Sequence, residues 1–66
     1  MQIQVNGEDK TVQNGSTIQD LLDDMSLKPQ QIVVEQNRTI VKREAFAHTS
    51  LSDGDEIEIL HFVGGG

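Results

Sequence analysis

The chain has 66 residues, which limits it to one small domain. A chain of this size buries only about 60% of the surface that its unfolded form exposes, so a deep internal active site is not expected. The absence of cysteine excludes disulfides, zinc–thiolate sites and cysteine nucleophiles. The net charge of −6, from 11 acidic and 5 basic residues, argues against nucleic-acid binding.

The sequence also carries no targeting or membrane signal. No apolar run approaches the roughly 20 residues of a membrane span. The first residues alternate apolar and polar side chains, which is not the pattern of a signal peptide. We therefore expect a cytoplasmic protein without membrane contact, whose acidity favours solubility and can steer it toward a basic partner surface.

The N-terminal residues predict a β-hairpin. Ile3 and Val5 alternate with glutamines and so share one face of a strand. Asn6-Gly7 is a strong signal for a tight turn, because both residues tolerate a positive φ. A second strand is then expected over about residues 10–13.

A helix follows the hairpin. Either Ser16 or Thr17 can act as its N-cap. Ser16 with Gln19 fits a capping box, and Thr17 with Asp20 is the alternative. The helix is expected to stop before Pro29, because a residue that precedes proline avoids the helical region. Apolar residues recur at helical spacing on one buried stripe: Ile18, Leu21, Leu22 and Met25.

The second half predicts three further strands. The β-branched run at residues 32–34 indicates a strand buried on both faces, and residues 40–41 a brief partner strand. Segment 42–50 is irregular, with Phe46 as its anchor, and residues 56–62 alternate as a final strand. One helix can cover only one face of a sheet, so the fold class is α+β: a roll with a mixed sheet of four or five strands and one main helix.

Three glycines end the sequence and predict a flexible tail at 64–66 beyond a domain at 1–63, because glycine loses the most backbone entropy on ordering. Such a tail can thread a narrow cleft, and three extended residues span roughly 10 Å. The carboxylate of Gly66 could therefore enter the active site of a partner. The alternative is a frayed end or the stub of a linker.

The chemistry of such a carboxylate requires a partner. With a pKa of about 3.5 it is an anion at neutral pH and a poor electrophile. ATP-dependent adenylation would activate it, and a sulfur nucleophile could then displace AMP. The sequence has no phosphate-binding glycine loop and no base–nucleophile pair. We therefore expect a protein cosubstrate with no bound cofactor, not an enzyme, and we expect the partner to use the ATP.

The end of the last strand predicts a docking patch for partners. Alternation places Leu60 and Phe62 on the face away from the helix, and Val63 follows them directly. An exposed apolar patch of this kind usually marks an interface. The alternative is that segment 42–50 folds over these side chains.

Two other groups of residues do not predict metal sites. His48 and His61 match no metal-ligand spacing, and His61 is expected at the end of the last strand, partly covered. The acidic residues at 53–56 do not continue as a calcium loop and are typical of a plain turn. No metal is expected.

Four stretches in this order resemble the ThiS family of sulfur carriers from thiamine biosynthesis, and the resemblance covers essentially the whole chain. They are the helix start at 16–22, the stretch at 40–43, the turn and strand at 53–57, and the ending at 61–66. The resemblance implies a ubiquitin-like β-grasp fold, with the first and last strands parallel in the middle of the sheet.

The resemblance also implies a reaction sequence. A ThiF-like enzyme would adenylate Gly66, and a cysteine desulfurase would indirectly supply sulfur to give a thiocarboxylate, a 1-thioglycine. The carrier would then deliver this sulfur to a ThiG-like thiazole synthase, with Gly64 and Gly65 threading the active sites of the partners. Two alternatives stay open: a MoaD-like carrier for molybdopterin synthesis, and a ubiquitin-like interaction module with a non-reactive tail.

Overall fold

A computed structural model describes residues 1–62 of the chain. The predicted domain boundary between residues 63 and 64 lies outside the described residues and stays a prediction. Within residues 1–62 a sheet is combined with one α-helix and two short 3₁₀ helices. The strands are β1 (Gln2–Val5), β2 (Glu8–Thr11), β3 (Ile32–Gln36), β4 (Thr39–Val41) and β5 (Glu56–His61); the helix α1 is Ile18–Asp24, and the 3₁₀ helices are Pro29–Gln31 and Arg43–His48.

The sheet has the strand order β2-β1-β5-β3-β4. Strands β1 and β5 are parallel, with Gln4 opposite Glu56, and the remaining neighbours pair in antiparallel fashion. The first and last strands thus lie side by side in the interior of the sheet. The predicted mixed sheet and the predicted parallel pair are confirmed.

The hairpin forms as predicted, but its second strand lies earlier in the sequence. Asn6 and Gly7 have φ values of 51° and 83°, and this two-residue turn places Glu8 directly opposite Val5. The strand therefore begins at Glu8 and ends at Thr11, and the expected range of 10–13 is wrong. The first residues of this edge strand are polar, so no apolar alternation marks where it begins.

Helix α1 begins at the second of the two proposed caps. The Thr17 hydroxyl accepts from the backbone N–H of Asp20 at 3.2 Å, and the Asp20 carboxylate accepts from the Thr17 N–H at 2.9 Å. This reciprocal pair is a capping box. The Ser16 hydroxyl instead donates to the backbone carbonyl of Gln13, so the alternative box with Gln19 is not formed.

The helix ends at Asp24, well before Pro29, and its end is defined by local backbone geometry. Ser26 has a φ of 58°, and its N–H donates to the carbonyl of Asp23. The N–H of Leu27 donates to the carbonyl of Leu22 at 2.9 Å. These two bonds form a Schellman motif, which closes a helix by satisfying its last carbonyls.

The core lies between α1 and one face of the sheet. Phe46, the predicted anchor, is buried there, although its segment is a 3₁₀ helix and not irregular. The expectation that β3 is buried on both faces is wrong: Ile32 and Val34 are buried, but Val33 is only half-buried because α1 lies on the other side of the sheet. The core residues are Ile3, Val5, Ile18, Leu21, Leu22, Ile32, Val34, Phe46, Leu51, Ile57 and Ile59.

Within residues 1–62, the helices are too short and too polar for any of them to cross a membrane.

Candidate functional site

The side of the sheet opposite α1, here called the open face, carries the candidate site. Along β5, Ile57 and Ile59 are buried against the core, whereas Glu58 and Leu60 alternate with them and are exposed. The sequence prediction that Leu60 points away from the helix is therefore confirmed. Because residues opposite each other in a sheet share a face, the register of β5 identifies the other members of the open face.

An apolar patch lies on the open face at the end of β5. Leu60 is 51% exposed and Phe62 is 55% exposed. Val33 lies opposite Leu60, and Ile40, which is 64% exposed, lies opposite Glu35 on the same face. We call Val33, Ile40, Leu60 and Phe62 the apolar patch.

The alternative that segment 42–50 covers Leu60 and Phe62 is excluded. The 3₁₀ helix Arg43–His48 lies within that segment and packs against α1, on the other side of the sheet. Its Phe46 points into the core. The two apolar side chains thus stay accessible to a partner.

Backbone pairing holds the chain as far as Phe62, one residue beyond the end of β5. His61 lies opposite Ile32, and the N–H of Phe62 donates to the carbonyl of Gln31 at 3.0 Å. His61 is exposed, so the expectation that it is partly covered is wrong; it occupies the last position of β5, where the strand leaves the core. The predicted site residues that follow, Val63, Gly64, Gly65 and Gly66, lie outside the described residues.

Acidic side chains occupy the part of the open face next to the apolar patch. Glu58 lies directly opposite Glu35 on β3, and Glu56 lies two residues before Glu58 on β5. Within residues 1–62 the single ion pair joins Lys10 and Asp24 at 3.2 Å. The open face therefore combines an apolar part and an anionic part.

A polar cluster that the sequence pattern does not predict fixes the start of β5. Asp55, only 7% exposed, accepts from the side chains of Asn37 at 3.0 Å and Gln36 at 2.9 Å, and from the backbone N–H of Ser52 at 2.8 Å. Burial alone would raise the pKa of the Asp55 carboxyl, but these hydrogen bonds outweigh burial and lower the pKa below its usual value.

The turn that precedes this cluster is the plain turn that the sequence predicts. Gly54 adopts a φ of 85°, and the N–H of Asp55 donates to the carbonyl of Ser52. The signal that was available is the second aspartate of the Asp-Gly-Asp turn, placed just before an alternating strand. In residues 1–62 no group of three or more metal-ligating side chains lies close together.

The sequence model of the ThiS family matches residues 3–66. The chain belongs to the ThiS family. It is also 45% identical over 65 residues to the sulfur carrier protein ThiS of Bacillus subtilis, covering 97% of this chain and 98% of that protein. The expectation of a ThiS-type carrier is thus confirmed at the level of the family.

Solved structures confirm the ubiquitin-like β-grasp fold. The crystal structure of the thiamine biosynthesis protein ThiS from Geobacter metallireducens matches with a TM-score of 0.86 at 36% identity, covering 100% of both chains. A longer relative is the thiazole synthase of Magnetococcus marinus, which is 36% identical over 66 residues. That match covers all of this chain, and the chain spans only 20% of the length of that synthase.

Proposed function

We propose that this chain is a sulfur carrier protein of thiamine biosynthesis and that it carries sulfur on the carboxyl group of Gly66. The observation that supports this most strongly is the match to the Bacillus subtilis carrier, which extends over 98% of that protein. The family match reaches residue 66 and so includes the three glycines. In this proposal the chain is a protein cosubstrate that works in the cytoplasm and holds no cofactor of its own.

The proposed loading reaction has three steps, all on enzymes other than this chain. A ThiF-like enzyme joins the Gly66 carboxylate to the α-phosphorus of ATP, and pyrophosphate leaves. A sulfur nucleophile, supplied indirectly by a cysteine desulfurase, then attacks the carbonyl carbon, and AMP leaves with the bonding electron pair. The nucleophile is the terminal sulfur of a persulfide, so this attack gives an acyl disulfide. A thiol then attacks the donor's sulfur and the S–S bond breaks, which joins donor and thiol in a disulfide. The departing sulfur keeps the electron pair of the broken bond, and the product is a thiocarboxylate, a 1-thioglycine at Gly66.

The geometry of the described residues supports delivery of this group to a partner. The backbone hydrogen bond to Gln31 holds the chain as far as Phe62, and the four residues that follow can extend at most about 14 Å from it. A partner that receives Gly66 must therefore contact the body of the carrier close to Phe62. The apolar patch, to which Leu60 and Phe62 belong, lies there and supplies a surface for that contact.

The proposed acceptor is a thiazole synthase of the ThiG type. Two relatives named thiazole synthase, from Magnetococcus marinus and Paramagnetospirillum magneticum, contain a segment similar to this whole chain. Such a combination in one polypeptide is expected if carrier and synthase act together. Gly64 and Gly65, which lack side chains, would let the tail thread a narrow cleft of the synthase if its active site has one.

The proposal is tested by complementation of a bacterial strain that lacks its own ThiS-type carrier. The chain should restore growth without thiamine, whereas deletion of Gly66, or addition of an alanine after it, should abolish growth unless thiamine is supplied. If the chain had a MoaD-like role, it would instead restore molybdoenzyme activity in a strain that lacks its molybdopterin carrier. Normal growth on the Gly66 deletion variant would refute the proposal.

A further inference from the structure

Two glutamates face each other on the open face, next to the apolar patch. In the antiparallel register of β3 and β5, Glu35 lies directly opposite Glu58, and the next pair on the same face is Val33 and Leu60. Opposite residues of this kind have their Cβ atoms about 5 Å apart. The pair of glutamates thus directly follows the Val33–Leu60 pair of the apolar patch, and the two pairs form one continuous surface.

We expect this pair of like charges to disfavour the free domain. Like charges that lie directly opposite each other destabilise a sheet, and Glu56 adds a third negative charge on the same strand and face. Within residues 1–62 the one ion pair, Lys10 with Asp24, involves neither Glu35 nor Glu58. Within residues 1–62, no ion pair therefore offsets a repulsion between these two carboxylates, which lie on the face that we assign to docking.

We propose that the docking surface continues from the apolar patch onto Glu35 and Glu58, and that thiazole synthase places an arginine or lysine against this pair. The inference rests on the proposed function and adds the chemistry of the partner surface: an apolar centre with a basic side chain at one end. A cation there would relieve the repulsion between the carboxylates. The apolar contact supplies buried area, whereas the charge pair fixes the orientation and speeds association.

The two glutamates should lower the stability of the free carrier but strengthen its binding to thiazole synthase. A purely structural role would not produce these opposite effects. The double variant Glu35→Gln plus Glu58→Gln removes the repulsion, so the melting temperature of the free carrier should rise by about 3 °C. Its Kd for thiazole synthase, measured by calorimetry in low salt, should increase about fivefold. The difference in Kd should shrink in high salt, because salt screens the lost attraction.

The matched control is Glu8→Gln plus Glu44→Gln, which removes the same charge elsewhere. Glu8 lies opposite Val5, on the side of the sheet that α1 covers, and Glu44 lies on the 3₁₀ helix that packs against α1. This control should leave the Kd for thiazole synthase unchanged. Equal weakening in both double variants would overturn the inference, since net charge alone would then explain the effect.

Binding is measured with unmodified carrier, so the result does not depend on whether Gly66 accepts sulfur. An unchanged Kd for the Glu35/Glu58 variant, together with weaker binding of Leu60→Ser, would overturn the extension and leave the apolar patch as the docking site. Failure of the wild-type carrier to bind thiazole synthase would overturn the choice of partner, and loading of Gly66 would still be tested separately.

Discussion

Asn37 bridges the β3–β4 turn and the start of β5 through both atoms of its amide. Its Nδ2 donates to Oδ1 of Asp55 at 3.0 Å, and its Oδ1 accepts from the backbone N–H of Glu56 at 2.9 Å. Asn37 itself adopts a φ of 52°, a region that asparagine tolerates better than most residues. The strand that carries Leu60 therefore begins at a fixed point relative to β3.

Replacement of Asp55 by alanine should destabilise the domain strongly. Three donors, from Asn37, Gln36 and Ser52, would lose the charged acceptor that they share, and the buried side chain of Asp55 would leave a gap. We expect a loss of about 3 kcal/mol in the free energy of unfolding, measured by urea denaturation. The control Asp53→Ala should cost less, because Asp53 is exposed and accepts one hydrogen bond, from the N–H of Gln2. Equal losses in the two variants would contradict the role given to Asp55.

The pKa of Asp55 also predicts a pH dependence. Because its pKa in the folded state lies below the value of 3.8 expected for a free carboxyl, the folded state binds the proton less tightly than the unfolded state. The resulting stability is present above about pH 4 and is lost as the pH falls through the folded pKa. Asp55→Asn should therefore show a shallower decline in the free energy of unfolding below about pH 4 than the wild type. Parallel pH profiles of the two proteins would contradict this.

Asn6 continues the parallel pairing of β1 and β5 by means of its side chain. Its Oδ1 accepts from the N–H of Ile59 at 2.8 Å, and its Nδ2 donates to the carbonyl of Ile59 at 3.3 Å. Asn6→Gly keeps the positive φ of the turn but removes both bonds, so the free energy of unfolding should fall by about 2 kcal/mol. The control is Asn14→Gly in the other Asn-Gly sequence, whose exposed asparagine should cost less than about 1 kcal/mol on replacement. Equal costs at both positions would refute the bridging role.

The apolar patch predicts variants that bind poorly but fold normally. Leu60→Ser and Ile40→Ser each remove an exposed apolar side chain, so the free energy of unfolding should change by less than about 1 kcal/mol. Binding to the adenylating enzyme and to thiazole synthase should weaken about tenfold for Leu60→Ser, measured by calorimetry. Ala47→Ser, an exposed position on the 3₁₀ helix, is the control. If Leu60→Ser bound both enzymes as tightly as the wild type, the apolar patch would not be part of the docking surface.

Local signals in the sequence predicted most elements of the fold. The Asn6-Gly7 turn, the capped helix and the alternation of β5 each depend on residues close together in the chain. The start of β2 was misplaced because Glu8 and Asp9 are polar residues of an edge strand, which no apolar pattern marks. The exposure of Val33 depends on which face the helix leaves open, and that is decided by packing.

The sequence predicts only those parts of the candidate site that depend on local alternation. Alternation alone indicated that Leu60 and Phe62 lie on the open face, and their exposure agrees. Ile40 joins them only through the register of β3 with β4, which the sequence does not contain. Asp55 is separated from Asn37 by 18 positions in the sequence and from Gln36 by 19, so no local motif predicts the cluster.

The most direct test is the intact mass of the carrier after incubation with a ThiF-like enzyme, ATP, a cysteine desulfurase and cysteine. We expect that one oxygen is exchanged for sulfur, that fragmentation places the sulfur on Gly66, and that omission of ATP prevents the exchange. A sulfur atom found on any other residue would contradict the assignment of sulfur transport to Gly66. An unchanged mass with an adenylating enzyme that loads the Bacillus subtilis carrier under the same conditions would contradict it as well.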